Sequence, residues 1–339
     1  MSQPAHRHEN DDRARRAFRT FQEQGGKFRV AVINRCNLDC FFCHNEAMAN
    51  PRRQAVAADA LDLEDLLAII TAYADLGGRQ VNITGGEPLA HPGIVDFLER
   101  IPPGEMRVVM NTNAVLVSRL LRRPRIERLD GILASLHTTK EDIFREDLGG
   151  RNVGRVMGNI AALKKHGYAV AINYSLGPYN ADEFEGVPDF AVEHGIDLKT
   201  IALVRPHDRP GFYGGDWVDP SWIRERLERR GARFLGERAA LGGQTTSWGI
   251  GDCTIRVKNI ADGRLETDMC SGCTHKDTCG EGVYGVRVGV DGLWKPCLLC
   301  QEWFHRVRAD QSYTEQILGI VEGMIGHWPN ASFRGGAPS

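Results

Sequence analysis

Cys36, Cys40 and Cys43 fall within one short run, Asn34-Arg35-Cys36-Asn37-Leu38-Asp39-Cys40-Phe41-Phe42-Cys43. Thiolates spaced C-x3-C-x2-C can hold three irons of a 4Fe-4S cluster and leave the fourth iron without a protein ligand. An iron left open in this way can receive a small molecule. Two plainer roles compete, a zinc knuckle and a set of buried small hydrophobes. Zinc sites favour C-x2-C pairs completed by a further Cys or His, and His44 follows Cys43 too closely to complete one. The spacing therefore favours iron and sulfur over zinc.

A second concentration of thiols occupies the C-terminal third: Cys253, Cys270, Cys273, Cys279, Cys297 and Cys300. Val286, Val288 and Val290 alternate as on one strand face, Asp291-Gly292 is a hairpin turn signal, and Trp294-Lys295-Pro296-Cys297 returns from it. A cysteine on such a hairpin, opposite a C-x2-C loop, can clamp a second cluster. The zinc-ribbon alternative sets Cys270-x2-Cys273 against Cys297-x2-Cys300 across 23 residues. It leaves Cys279 unexplained, so the expected ligands of an auxiliary 4Fe-4S cluster are Cys270, Cys273, Cys279 and Cys297. Cys253 and Cys300 stand as substitutes or as plain buried thiols.

These groups need a scaffold, and 339 residues suffice for one large domain and a smaller one. The net charge of -2 gives no electrostatic case for nucleic acid or an anionic membrane. No apolar run reaches membrane-spanning length, and Met1 to Arg19 lacks the hydrophobic stretch of a signal peptide, reading instead as a tail or short amphipathic helix. Nine cysteines gathered in metal-ligand spacings point to a reducing cytoplasm rather than a secreted disulfide framework.

Strand-like and helix-like segments alternate along the chain, as in parallel α/β architecture. The expected strands are Phe28 to Asn34, Val81 to Thr84, Met106 to Thr112, Gly131 to Leu136, Tyr168 to Ser175 and Leu198 to Val204. Leu63, Leu66, Leu67 and Ile70 repeat at helical spacing, and Val153, Val156, Met157, Ile160 and Leu163 line one face of another helix. A further helix is expected around Asp182 to Glu193. Polar residues collect at the strand ends, the side on which such sheets bind ligands.

The cysteine loop after the first strand, with an aromatic before its third cysteine and Gly85-Gly86-Glu87-Pro88 after the second strand, resembles the radical S-adenosylmethionine (radical SAM) superfamily. The resemblance implies a partial (β/α)6 TIM-like barrel over residues 28–235, after an N-terminal segment 1–27. A small C-terminal iron-sulfur domain of the SPASM or twitch kind would cover 236–310, with a helix and tail over 311–339. It implies that SAM chelates the open iron, that Gly85 and Gly86 let backbone approach its amino group, and that Glu87 meets the ammonium. Phe42 would pack on adenine. Asn113, Ser135 and Asn173 would take the ribose and carboxylate, and Arg205 a carboxylate or phosphate.

Within the superfamily the likeness runs to the GTP 3',8-cyclase branch, from Phe28 to Leu299. It includes Ala134-Ser135-Leu136-His137 and the hairpin from Arg287 to Cys297. Arg29 and Arg287 match arginines that bind nucleotide phosphates there, and Gly285 and Gly289 are expected to leave room around Arg287. Three departures separate this chain: Gly285 replaces a second arginine, Cys279 is additional, and Gly335-Gly336 is followed by Ala337-Pro338-Ser339. The implied activity is reductive cleavage of SAM to a 5'-deoxyadenosyl radical, with an electron from flavodoxin or ferredoxin, then hydrogen abstraction from a small nucleotide, nucleoside or sugar derivative. A peptide-modifying maturase, the GTP cyclase itself and a non-catalytic iron-sulfur or zinc sensor are the alternatives.

Overall fold

A computed structural model describes residues 3–52, 58, 60–203, 218–240, 243–259, 263–277, 279, 281–325 and 332–334. Arg205 and the Gly335-Gly336 tail therefore lie outside the described residues.

The six expected strands form a parallel run in chain order: β1 (Lys27–Ala31), β2 (Gln80–Thr84), β3 (Arg107–Thr112), β4 (Gly131–Ser135), β5 (Val170–Leu176) and β6 (Asp197–Ala202). The helices Leu63–Asp75, Ile94–Arg100, Val153–Lys165 and Gly186–Glu193 stand between them in sequence. Asp62 starts the first with a reciprocal capping box to Asp65, and Asn152 caps the third by accepting from Arg155 N. β1 ends three residues before its expected limit, because the backbone of Ile33 to Arg35 leaves the sheet to cross the turn that follows β2.

Residues beyond 235 extend the same sheet rather than only following it. β7 (Arg233–Ala240), β8 (Gly243–Ile250) and β9 (Cys253–Lys258) form an antiparallel meander, and β9 pairs parallel with β6. The division expected at 235/236 falls inside β7. β10 (Arg264–Glu266) stands apart, paired with the late strand 332–334. β11 (Gly285–Gly289) pairs parallel with β1, then β12 (Leu293–Lys295) and β13 (His305–Arg306) follow antiparallel. With one strand added at each edge of the six, the parallel run reads β11-β1-β2-β3-β4-β5-β6-β9. Its edges approach each other, since Lys258 Nζ at the end of β9 lies 4.8 Å from the ring centre of Tyr284, just before β11.

Side chains alternate across these strands. One face is apolar: Phe28 stacks on Tyr73 of the Leu63–Asp75 helix with ring centres 4.1 Å apart, and Val30, Ile83, Met110 and Ile172 are fully buried beside them. The segment expected as a tail or short helix is a helix, Gln3–Glu23, whose Phe18 and Phe21 join this core; it packs against the Tyr313–Ile325 helix. The other face is polar. Register places Arg29 between Asn82 and Arg287, and sets Ser135, Asn173 and Lys199 side by side on β4, β5 and β6.

Candidate active site

The cysteine loop is seated on the Gly85-Gly86-Glu87 turn by backbone. Gly86 N donates to Ile33 O at 2.7 Å and Glu87 N to Arg35 O at 2.9 Å. A Cβ on Gly86 would lie 2.0 Å from Arg35 O, and one on Gly85 2.3 Å from Ile33 O. The space where a Cβ would stand on these glycines is thus taken by the loop that carries Cys36. Gly85 also has φ of 144°, a conformation that favours glycine.

Glu87 likewise points inward. Its carboxylate is 1% exposed and accepts from Leu89 N at 3.0 Å, Thr112 Oγ1 at 2.7 Å and Asn113 N at 2.7 Å. Burial pushes its carboxyl up to about 7 against the pull of those donors. These contacts make it the tie between the turn and the end of β3. Asn113 then reaches the loop itself: Nδ2 donates to Asn37 Oδ1 at 2.8 Å and lies 3.6 Å from Cys36 Sγ.

On its other side the loop is strapped to Asp147 and Leu148, whose carbonyls accept from Phe41 N and Asp39 N at 3.0 Å. Burial raises the Cys40 thiol, and its loop neighbours Cys43 and Cys36 raise it further. Phe42 packs edge-on against His137 at 5.3 Å and beside Tyr179 at 5.6 Å. Burial lowers His137 to about 4, which keeps it neutral, and its Nδ1 accepts from Ser175 N. His137 and Tyr179 were not among the expected site residues; only their positions just past β4 and β5 could have signalled them. Ser135 and Asn173 are half-buried partners on the polar face.

Arg29 and Arg287 both face a carboxylate of the chain itself. Glu46, 4% exposed, accepts from Arg29 Nε at 2.9 Å, from Arg287 Nε at 3.1 Å and from Thr84 Oγ1 at 3.1 Å. Arg287 also donates to Glu281 at 2.6 Å and to Tyr284 Oη at 2.9 Å, and is itself 2% exposed. Burial alone would raise the Glu46 carboxyl, but the Arg29 guanidinium holds it well below the ordinary carboxylate range. The room expected beside Arg287 is filled as well, since a Cβ on Gly289 would lie 2.8 Å from Met48 Sδ.

Two lysines of the polar face lack such carboxylate partners among the described residues. Lys199 on β6 and Lys258 on β9 make no hydrogen bond or ion pair among the described residues, and Glu281 near them is already bonded to Arg287. Burial, then Lys258, Lys27 and Arg29, lower Lys199 to about 7, with Glu281 opposing. Sequence alternation could have placed Lys199 on the polar face, but its isolation depends on which carboxylates are spent elsewhere.

Five C-terminal thiols gather near one another. Cys270 is influenced by Cys297 and Cys273, Cys279 by Cys297, and Cys300 is pushed up to about 12 by burial and then by Cys273, to which it also hydrogen-bonds. Leu299 N and Cys300 N both donate to Cys297 Sγ at 3.4 Å, which suits a thiolate. Cys253 stands apart, at the start of β9, with its thiol donating to Ile196 O at 3.0 Å. It is a buried thiol away from the others, whereas Cys300 lies beside Cys273 and Cys297. Replacing Cys300 by serine is expected to lower metal bound by the C-terminal set, while Cys253→Ser leaves it unchanged; equal losses in iron and zinc analysis would refute this division.

Among the described residues no group of three or more His, Cys, Asp or Glu side chains is arranged to hold a single metal ion. A four-iron cluster needs its thiolates more widely spaced than one ion does, and an all-sulfur donor set with backbone N–H groups turned toward it fits such a cluster. A cavity of about 340 Å³ between β12 and the Tyr313–Ile325 helix includes no residue of either cysteine set.

An open parallel barrel with a three-cysteine loop seated on a Gly-Gly-Glu turn is the arrangement of enzymes that use SAM and a 4Fe-4S cluster. The radical SAM superfamily pattern matches residues 30–191. Similar curated proteins include the GTP 3',8-cyclase of Clostridium perfringens (strain 13 / Type A), 30% identical over 278 residues, covering 80% of this chain and 79% of the relative. The probable GTP 3',8-cyclase of Archaeoglobus fulgidus is 28% identical over 278 residues, covering 81% of this chain and 86% of the relative. The chain belongs to the radical SAM superfamily and within it resembles the GTP 3',8-cyclases. Among solved structures, native anSMEcpe with bound AdoMet shares the fold at TM-score 0.55 and 15% identity, covering 89% of this chain and 82% of that one. Streptococcus suis SuiB bound to S-adenosylmethionine does so at TM-score 0.52 and 15% identity, with 84% and 62% covered.

Proposed function

We propose that this radical SAM enzyme takes a hydrogen atom from a small anionic molecule, of nucleotide, nucleoside or sugar-phosphate type, held in the polar lumen of the barrel. The observation that carries this is the pair Lys199 and Lys258, half-buried on the lumen face with no carboxylate of their own among the described residues. A cation in that setting gains most from an anionic ligand.

Cys36, Cys40 and Cys43 would hold the first cluster, and Asn113, Ser135 and Asn173 would line the bound SAM with Phe42 nearby. Together the cluster and SAM supply the carbon-centred radical that removes hydrogen. The protein's part is placement. The backbone seat at Gly86 fixes the loop, neutral His137 and Phe42 with Tyr179 form an apolar wall, and the lysines orient the substrate by its charge. Four of Cys270, Cys273, Cys279, Cys297 and Cys300 would hold an auxiliary cluster, and flavodoxin or ferredoxin would deliver the electron. Among the described residues no helix is long and apolar enough to cross a membrane.

GTP itself is the second reading, favoured by what the curated relatives are named for. The test is anaerobic turnover of reduced protein with SAM and nucleotides deuterated on the ribose. Deuterium is expected in the 5'-deoxyadenosine formed. Transfer only from a labelled peptide would replace this proposal with a maturase. The superfamily relatives argue for an enzyme over a sensor.

A further inference from the structure

Glu46 sits in a backbone conformation that its residue type avoids. Asn45, Glu46 and Ala47 have φ of 46°, 52° and 58°, three successive non-glycine residues in the left-handed region. The turn is held from several sides. Asn45 Nδ2 donates to Asn34 O and to Ala49 O, both at 3.2 Å, Glu46 N donates to His44 Nδ1 at 3.2 Å, and Lys295 Nζ reaches Glu46 O at 3.4 Å. Strain that persists because its surroundings over-determine it is a sign of use.

Its effect is to deliver a carboxylate from just beyond Cys43 into the space between Arg29 and Arg287. Those two guanidinium groups occupy paired register positions on β1 and β11. Two planar, permanently charged forks side by side are what a phosphate would require. Here the chain supplies the anion from its own cysteine loop.

We infer that Glu46 is a specificity-determining residue, an internal carboxylate that fills the Arg29 and Arg287 bracket and confines the substrate's anionic group to the Lys199 and Lys258 side of the lumen. The inference rests on the lumen being the substrate site. It defines the ligand class as one with a single compact anionic head, a monophosphate or a carboxylate. An extended polyphosphate long enough to reach the arginines must displace Glu46.

Inorganic tripolyphosphate is the probe, with binding followed by calorimetry in four full-length proteins: the natural chain, Glu46→Gln, Lys199→Met with Lys258→Met, and all three changes together. Glu46→Gln is expected to bind on the order of tenfold tighter than the natural chain, because two charge-assisted hydrogen-bond donors become available. In the double-lysine background, where binding is lost, adding Glu46→Gln should restore it. No gain in either background overturns the inference. Binding that survives loss of both lysines yet still improves with Glu46→Gln sinks the lysine site and supports Glu46. Should Glu46→Gln fold poorly, Glu46→Asp keeps the charge on a shorter arm. Its thermal midpoint should rise more on adding tripolyphosphate than that of the natural chain, and an equal rise counts against the inference.

Discussion

Gly86→Ala is expected to strip the iron from the first cysteine loop while leaving the chain folded. The added methyl would stand 2.0 Å from Arg35 O and 2.3 Å from Arg35 C, both backbone atoms. A side chain could rotate away from such an intrusion, but backbone one residue before Cys36 can move only by carrying the cysteine with it. Overpacking of this kind costs about 1 to 3 kcal/mol where a core adjusts. Here the adjustment also breaks the bonds from Gly86 N to Ile33 O and from Glu87 N to Arg35 O. The expected result is loss of most of the roughly four irons of that cluster, and with it loss of reductive SAM cleavage. Gly77→Ala is the control: its φ of 83° resists a side chain but nothing lies within 4 Å, so it should cost about 1 kcal/mol and keep its iron. Full iron content in Gly86→Ala, by iron and sulfide analysis and electron paramagnetic resonance, would show that the turn is not the loop's seat.

Lys199→Met is expected to weaken substrate binding on the order of a hundredfold, the worth of a charge-assisted contact, and at the same time to stabilise the free enzyme. The sign follows from the lowered lysine. Its folded value is about 7 against an ordinary 10.5, so between those values the unfolded chain holds more protons and stability rises with pH. Below pH 7 the penalty of the charged form is present in full. Methionine removes it, so the gain in thermal midpoint should be largest below pH 7 and vanish above 10.5. The groups facing Lys199 agree with this sign: Lys258, Lys27 and Arg29 disfavour the charge, and Glu281 opposes them. Binding of an anion restores the proton, so affinity should fall as pH climbs above 7 and calorimetry in two buffers should show proton uptake. A Lys199→Met enzyme with unchanged affinity and an unchanged pH profile would exclude this role.

Residue identity carried much of this site, and burial carried the rest. The cysteine triplet, the Gly-Gly-Glu-Pro turn and the six strands were readable because each is local: a spacing, a turn, a period of two. The β11 and β12 hairpin was readable for the same reason, through Val286, Val288 and Asp291-Gly292. Its parallel pairing with β1 was not, since nothing in either strand names its partner. Arg29 and Arg287 were legible as a phosphate-type pair, yet their actual partner is a glutamate whose position depends on three left-handed residues. Only Asn45 of those is a type that tolerates that conformation readily. Lys199 and Lys258 emerged as cations without a carboxylate partner only by subtraction, once Glu46 and Glu281 were seen to be engaged.

The pairing of β1 with β11 also orders events in time. Cys36 leaves the ribosome early, but Arg287, which completes the grip on Glu46 behind the cysteine loop, is made some 250 residues later. Until β11 is synthesised, one wall of the pocket does not exist, and a long-range pairing of this kind forms late. The seat of the cysteine loop on the Gly85-Gly86-Glu87 turn is complete within the first half of the chain, whereas the clamp on Glu46 waits for β11.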